Sequence, residues 1–215
     1  MVFGLDAWLH NFTQFTPQAL SPEVLADVPA PYKEIAIYGA FKGAEAGSII
    51  GGLVIHPIYR WYLTKRLKPE ETTPNSHKII RSTCRKLQGR LLLLSFVAGP
   101  SIALIWGSTR SQSELANHCY VIRRRTEELT IDRCSVACGL IGWYWKRFQG
   151  AVDGINIGIT YAFFNNKVLA KYSSPMLKDK IVEGQQYASV EDARKHKSRL
   201  DEFLVKKEGK NGAYN

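Results

Sequence analysis

The sequence predicts an all-α fold: a four-helix transmembrane bundle with glycine-zipper packing, an amphipathic N-terminal arm and a C-terminal surface helix. Three observations predict it. Four poorly charged stretches, 35–58, 91–107, 134–145 and 148–168, alternate with more charged segments, the most basic of which is 57–90. Small residues recur every four positions inside those stretches. The formal net charge of +10 lies almost wholly between and beyond them. With 45% hydrophobic and 22% charged residues over 215 positions, the composition is that of a folded chain rather than a disordered one. Four Cys in this length exclude a disulfide-dense secreted scaffold.

The N-terminal arm, residues 1–34, carries Lys33 against Asp6, Glu23, Asp27 and Glu34. Its first 32 residues hold no basic side chain, which argues against an Arg-rich mitochondrial presequence and the charged start of a secretory signal. An organellar address would then be internal. Leu5, Trp8, Leu9, Phe12 and Phe15 fit one face of a helix, and Pro17, Pro22, Pro29 and Pro31 keep the following chain extended. The segment reads as a docking arm on a partner or on the membrane interface.

The first span, 35–58, is long enough to cross a bilayer but contains Lys42 and Glu45, which are i,i+3 neighbours able to neutralise each other. Gly39, Gly43, Gly47 and Gly51 form its stripe, with Ala40, Ala44, Ser48 and Gly52 one step behind. The next segment, 57–90, holds nine basic residues against Glu70 and Glu71 and reads as a loop from residue 59. Tyr59, Trp61 and Tyr62 beside Arg60, Lys65 and Arg66 make an interfacial anchor pattern that would meet anionic headgroups.

The second span, Leu91 to Gly107, is 17 residues without a charge, with Ser95, Gly99, Ala103 and Gly107 on one face. A mixed-charge loop, 108–133, follows. The third span, 134–145, is short, with a partial stripe of Cys134, Cys138 and Gly142 beside Ser135 and Gly139. Lys146 and Arg147 separate it from the fourth, 148–168, whose stripe is Gly150, Gly154, Gly158 and Ala162 and whose Asp153 has Lys146 and Arg147 near it. The charged tail, 169–215, opens a helix at Ser189 with Asp192 in the capping position. That helix is expected over 190–207 with Ala193, Leu200, Phe203 and Leu204 on its apolar side, and 208–215 is expected to be disordered.

The stripes decide between a soluble helical protein and a membrane bundle. In water each Gly inside a helix costs about 1 kcal/mol relative to Ala. In lipid, helices associate through close backbone approach, which small-xxx-small stripes allow. Four spans put both termini on one side and the basic 59–90 and 146–147 segments on the other, which the positive-inside rule makes the inner side. A soluble nucleic-acid binder would share the net charge, but no base-reading motif is present, so no nucleic-acid partner is expected.

The sequence holds no GK[ST] phosphate loop and no GxGxxG. His10, His56, His77, His118 and His196 are scattered, and Cys134 and Cys138 are spaced CxxxC with no second pair to complete a zinc site. No catalytic residue, cofactor or metal is expected. An oxidising compartment around 108–133 would permit a disulfide between Cys119 and Cys134.

The glycine-striped spans, the acidic arm, the basic first loop and the absence of a presequence resemble the Tim channel family of the mitochondrial inner membrane. That family includes preprotein translocase subunits and a four-helix accessory subunit of respiratory complex I, alpha-subcomplex subunit eleven. The resemblance covers roughly 35–168 and is carried by Gly39-Ala40-Phe41-Lys42-Gly43-Ala44-Glu45-Ala46-Gly47 and by Arg123 to Gly139. The complex I subunit is similar in its basic and acidic run before a Cys- and Gly-rich span, here Arg124-Arg125-Thr126-Glu127-Glu128, then Asp132-Arg133-Cys134. The translocase signature has an Arg four residues before an Asp. Glu128 stands in that place ahead of Asp132, Leu140 falls where a Gly is expected, and Trp143-Tyr144-Trp145 is bulky for a third helix. The resemblance therefore implies a non-catalytic accessory subunit of complex I in the inner membrane, with both termini in the intermembrane space. It also implies contacts with complex I membrane subunits and with complex III in a supercomplex, while the basic and aromatic residues at 59–66 add phospholipid as a partner, with cardiolipin one candidate. A translocase channel component is the alternative, and it would need a hydrated face built from Lys42, Glu45, Asp153 and Asn156.

Overall fold

A computed structural model describes residues 5–13, 25–66, 75–169, 172, 187, 189–195 and 197. Among these residues the chain is all-α. Helix α1 spans Asp6–Thr13 and α2 spans Pro31–Ile49; α2 runs through a π-helical segment, Ile50–Ile55, into α3, His56–Arg66. Helix α4 spans Ser76–Ser108, α5 spans Gln112–Arg124 and α6 spans Thr126–Phe164, followed by a π-helical segment Asn165–Leu169.

Local chemistry places these elements. Pro31 opens α2, where its missing N–H is not needed. The wide turn at 50–55 precedes Pro57, whose ring would crowd the carbonyl four residues back in a regular helix. Helix α5 is set by a full capping box: Ser111 Oγ accepts from Glu114 N (3.3 Å) and Glu114 Oε2 accepts from Ser111 N (3.2 Å). Helix α6 reverses at Lys146 and Arg147, leaving two arms, 126–145 and 148–164.

Arg147 has φ 55° and ψ −143°, a conformation natural to Gly and costly for any other residue. Arg147→Gly is accordingly expected to stabilise the protein by about 1 kcal/mol, the low end of the cost of such strain, seen as a higher thermal midpoint.

The stripes pair two by two. A Cβ at Gly39 would lie 2.6 Å from Ala103 Cβ, one at Gly43 would lie 3.0 Å from Gly99 Cα, and one at Gly47 would lie 2.5 Å from Ser95 Cβ. Partner numbers fall as α2 advances, so α2 and α4 are antiparallel. The two arms of α6 fold back in the same way: Gly142 meets Gly150, Cys138 meets Gly154 and Cys134 meets Gly158. The hairpins join where Ser48 Oγ donates to Val152 O (2.9 Å) and Leu92 packs with Ala151, Val152 and Ile155.

Each end of the bundle has its own dressing. At one end lie α1, residues 25–30, α5 and the helical residues 190–195. Trp8 stacks on Phe12 (centroids 5.1 Å apart), and both rings meet Phe41 of α2 at 6.2 and 5.3 Å. Helix α1 thus packs against the chain's own α2, rather than on the partner or membrane interface expected for the arm. Val190 and Ala193 pack on Ala26 and Tyr120, and Ser189 caps their helix by accepting from Asp192 N (3.2 Å). At the other end, Phe148 beside the reversal touches Gly89 of α4, which brings the 146–147 turn to the basic end of α4. Phe15, Pro17, Pro22, Leu200, Phe203, Leu204 and 208–215 lie outside the described residues.

Three expectations are corrected. The basic segment 59–90 is largely helical, because α3 continues to Arg66 and α4 begins at Ser76; Lys and Arg are good helix formers. The mixed-charge 108–133 is not a loop either: it contains α5 and the first two turns of α6, so the third arm runs from 126. All four cysteines are free thiols, so the Cys119–Cys134 pair is not bonded. Cys119 is buried beneath the start of α2 and donates to Pro31 O (3.5 Å), whereas Cys134 lies in the α6 seam against Gly158.

Candidate functional site

Much of the described surface is apolar. The bundle interior is rich in small residues, Gly39, Gly47, Ser48, Gly51, Ala151, Gly154, Gly158 and Ala162, buried alongside Ile35, Leu92, Leu129, Val152 and Ile155. Large apolar side chains point out: Leu53 is 67% exposed, Leu94 68%, Ile105 68%, Tyr144 79% and Trp145 77%. Single exposed hydrophobics are ordinary, but a continuous covering of them marks contact with lipid or protein.

Inside this coat lie two sets of charges. In the first, Lys42 Nζ contacts Asp132 Oδ1 (2.6 Å) and Glu45 Oε2 (3.1 Å). Ser135 Oγ donates to Glu45 Oε1 (2.9 Å), and Tyr38 OH donates to Glu128 Oε2 (3.3 Å). The expected Lys42–Glu45 pair forms, and Asp132 joins it from ninety positions away. In the sequence, Asp132 stands out only as a candidate signature residue. Asp153, by contrast, is exposed and forms no ion pair with Lys146 or Arg147; Arg147 lies over the Trp143 ring instead (5.5 Å). Asn156 donates through Nδ2 to Ser48 O (3.3 Å) across the hairpin junction.

Lys42→Met would leave Asp132 and Glu45 facing each other without a cation. Because the Lys42 side chain is 30% exposed, the expected loss is about 2 kcal/mol, below that of a fully enclosed pair. Thermal unfolding in detergent checks this, and adding Asp132→Asn should recover part of the loss.

The second set is Arg123 and Glu34. Arg123 is 2% exposed and grips Glu34 through two bonds, Nε to Oε2 (2.9 Å) and Nη2 to Oε1 (2.5 Å). Its remaining nitrogen, Nη1, donates to Leu25 O (3.1 Å) and Asp27 O (2.9 Å), which fixes the chain entering α2. Arg133 does the same for α1, donating to Phe12 O (2.8 Å) and Asn11 O. Arg124 donates to Tyr187 O (2.9 Å). Spans and stripes alone do not single out Arg123. The signal for it is the capping box at Ser111 and the face Leu115, Cys119, Ile122, Arg123 on the helix that box starts, which puts Arg123 inside.

Burial and the neighbouring Glu34 carboxylate push the Cys119 thiol up to about 12. Cys119 should therefore stay unlabelled by maleimide at pH 8 in the folded protein and react only after unfolding, as mass spectrometry of labelled peptides would read.

Of the predicted packing residues, Gly39, Gly43, Gly47, Ser95, Gly99, Ala103, Gly150, Gly154 and Gly158 all lie in the two tight seams. Gly51 is in ordinary contact with Leu91 (3.7 Å), and Gly107 faces Leu115 and Tyr32 (3.5 and 3.7 Å) rather than the seam. Among the described residues no three His, Cys, Asp or Glu side chains form a group able to hold a metal ion. One helix, Ser76–Ser108, is long and apolar enough to cross a membrane.

A family model described as a protein of unknown function, DUF1757, matches residues 8–165. Neither the curated proteins nor the solved structures contain a match. The matched segment takes in most of α1, both hairpins and α5, and with them nearly all the contacts above; the chain belongs to the DUF1757 family.

Proposed function

We propose that this chain is a four-helix membrane bundle acting as a non-catalytic accessory subunit of respiratory complex I in the mitochondrial inner membrane. The observation that carries the membrane part is the arrangement of the surface: small residues concentrated in the seams and large apolar residues outside, as at Leu94 and Ile105 of α4. The other three arms, 31–55, 126–145 and 148–169, hold 20–25 residues each and so reach about 30–37 Å at 1.5 Å per residue, enough for a hydrocarbon core of about 30 Å. Their average apolarity is lowered by seam glycines, by charges near their ends such as Lys33, Glu34, Glu127, Glu128, Asp153 and Lys167, by Arg133, and, further in, by Lys42, Glu45 and Asp132. Those three charges pair with one another, which offsets the cost of holding them in lipid.

The complex I assignment rests on the resemblance of the first span and of the Arg124 to Cys134 segment. The basic end, with α3, the start of α4 and Lys146–Arg147, would face the matrix. The α1 and α5 end, to which the described parts of both terminal regions dock, would face the intermembrane space. Outward apolar faces would meet lipid, complex I membrane subunits and complex III. The translocase alternative is less supported, because internal bonds engage Lys42, Glu45 and Asn156 of its four candidate polar groups.

Two measurements test the proposal. Carbonate extraction should leave the chain in the membrane, and release into the supernatant would end the membrane reading. Blue-native electrophoresis with mass spectrometry should find it in the band with NADH dehydrogenase activity. Migration with a preprotein translocase instead would end the complex I assignment while leaving the bundle intact.

A further inference from the structure

The two hairpins part on one side, leaving a cleft of about 410 Å³, within the roughly 300–1,000 Å³ of sites that take a small ligand. Phe41 and Ala44 of α2, Leu93 and Phe96 of α4, and Val136 and Leu140 of α6 wall it with carbon. Its polar residues are already engaged: Glu45 accepts from Lys42 and from Ser135. Such a cleft suits a hydrocarbon chain rather than a polar metabolite.

One end of the cleft is basic. Trp143 and Phe148, which bracket the reversal of α6, line it there. The exposed Arg147 lies over the Trp143 ring (5.5 Å), and Lys146 beside it is exposed too. Phe148 touches Gly89 of α4, whose neighbours Lys86 and Arg90 are exposed cations. The nearest carboxylate along α6, Asp153, stands almost two turns into the second arm. An apolar slot with a cationic end matches one class of molecule: a hydrocarbon chain carrying an anionic head.

We infer that the cleft seats an acyl chain of an anionic phospholipid whose phosphate is held by Lys146 and Arg147. This rests on the membrane reading above and assigns a site to it. The lipid would fill the gap between the hairpins that their side chains leave. The unfavourable backbone of Arg147 then has a use, because a Gly there would relax the turn and give up the cation.

The test uses the full chain purified from membranes in a mild detergent. Native mass spectrometry would follow added phosphatidylglycerol, phosphatidylcholine with the same acyl chains, and oleate. Each cation near the headgroup favours an anionic lipid by about 1 kcal/mol, so the two together predict about a thirtyfold preference for phosphatidylglycerol over phosphatidylcholine. Lys146→Ser with Arg147→Gly should abolish that preference while phosphatidylcholine still binds. Ala44→Phe and, separately, Val136→Phe should reduce retention of both lipids, with helicity unchanged by circular dichroism. Equal retention of the two phospholipids by the wild type would overturn the site, as would undiminished retention in both cleft-filling variants. Oleate retained as well as phosphatidylglycerol would overturn the phospholipid in favour of a free fatty acid. A chain that carbonate releases refutes the membrane reading itself, whereas one that stays in the membrane without lipid preference refutes only this site.

Discussion

Gly43→Leu is expected to abolish the α2–α4 hairpin. A Cβ at position 43 would press on the Ser95 carbonyl oxygen and lie 3.0 Å from Gly99 Cα. Both are backbone atoms of a regular helix and cannot step aside, so relief requires the helices to separate along the seam. Overpacking of a core ordinarily costs about 1–3 kcal/mol because side chains can rearrange. Here none can, and the expected loss exceeds that range, enough to prevent accumulation of the folded chain. Gly154→Leu should fail in the same way in the α6 hairpin, where the new Cβ would lie 2.7 Å from the Cys138 carbonyl carbon. Gly51→Ala is the control, since its Cβ would meet Leu91 at an ordinary 3.7 Å and Ala is the better helix former by about 1 kcal/mol. Steady-state level and thermal midpoint in detergent read all three. Undisturbed accumulation of both Leu variants would show that the seams do not hold the bundle.

The second large effect is expected at Arg123. Truncation to Ala would strand the buried Glu34 carboxylate and release the carbonyls of Leu25 and Asp27 together. Breaking one partner of a buried pair costs about 3–5 kcal/mol, largely through the charge left behind. Arg123→Lys should recover little, because an ammonium cannot make the two-point grip on Glu34 and still reach both carbonyls. Glu34→Gln combined with Arg123→Met should be milder than Arg123→Ala, since it leaves no unpaired charge. The readout is limited proteolysis at 25–30: rapid cleavage in Arg123→Ala and slow cleavage in the double variant. Equal protection in all variants would show that this ion pair does not secure the entry to α2.

These effects come from different physics, which explains how legible each is. A seam of small residues is written into the sequence as a period of four, because residues four apart share a helix face. Gly39 through Gly51 and Gly150 through Gly158 therefore stand out from spacing alone. Gly107 shares the period yet lies outside the tight seam, because at that end of α4 the side chains of Leu115 and Tyr32 face it at ordinary distances of 3.5 and 3.7 Å. Between the spans the hydropathy pattern misleads. High charge suggests loops at 59–90 and 108–133, although basic residues are good helix formers and the Ser111–Glu114 box announces α5.

Spacing within a few turns of one helix is enough to set the all-helical class, the positions of the stripes, the reversal near Lys146 and Arg147, and the local Lys42–Glu45 pair. Four further features emerge only when the chain is packed: which stripe meets which, the arrival of Asp132 in the Lys42 cluster, the closure of Arg123 on Glu34, and the cleft between the hairpins. The cause is distance along the chain. All four stripes offer the same smooth face, so periodicity cannot rank their pairings, and the buried ion partners stand 89 and 90 residues apart. Their meeting depends on how two hairpins lean together, a property of the packed bundle and of no single segment.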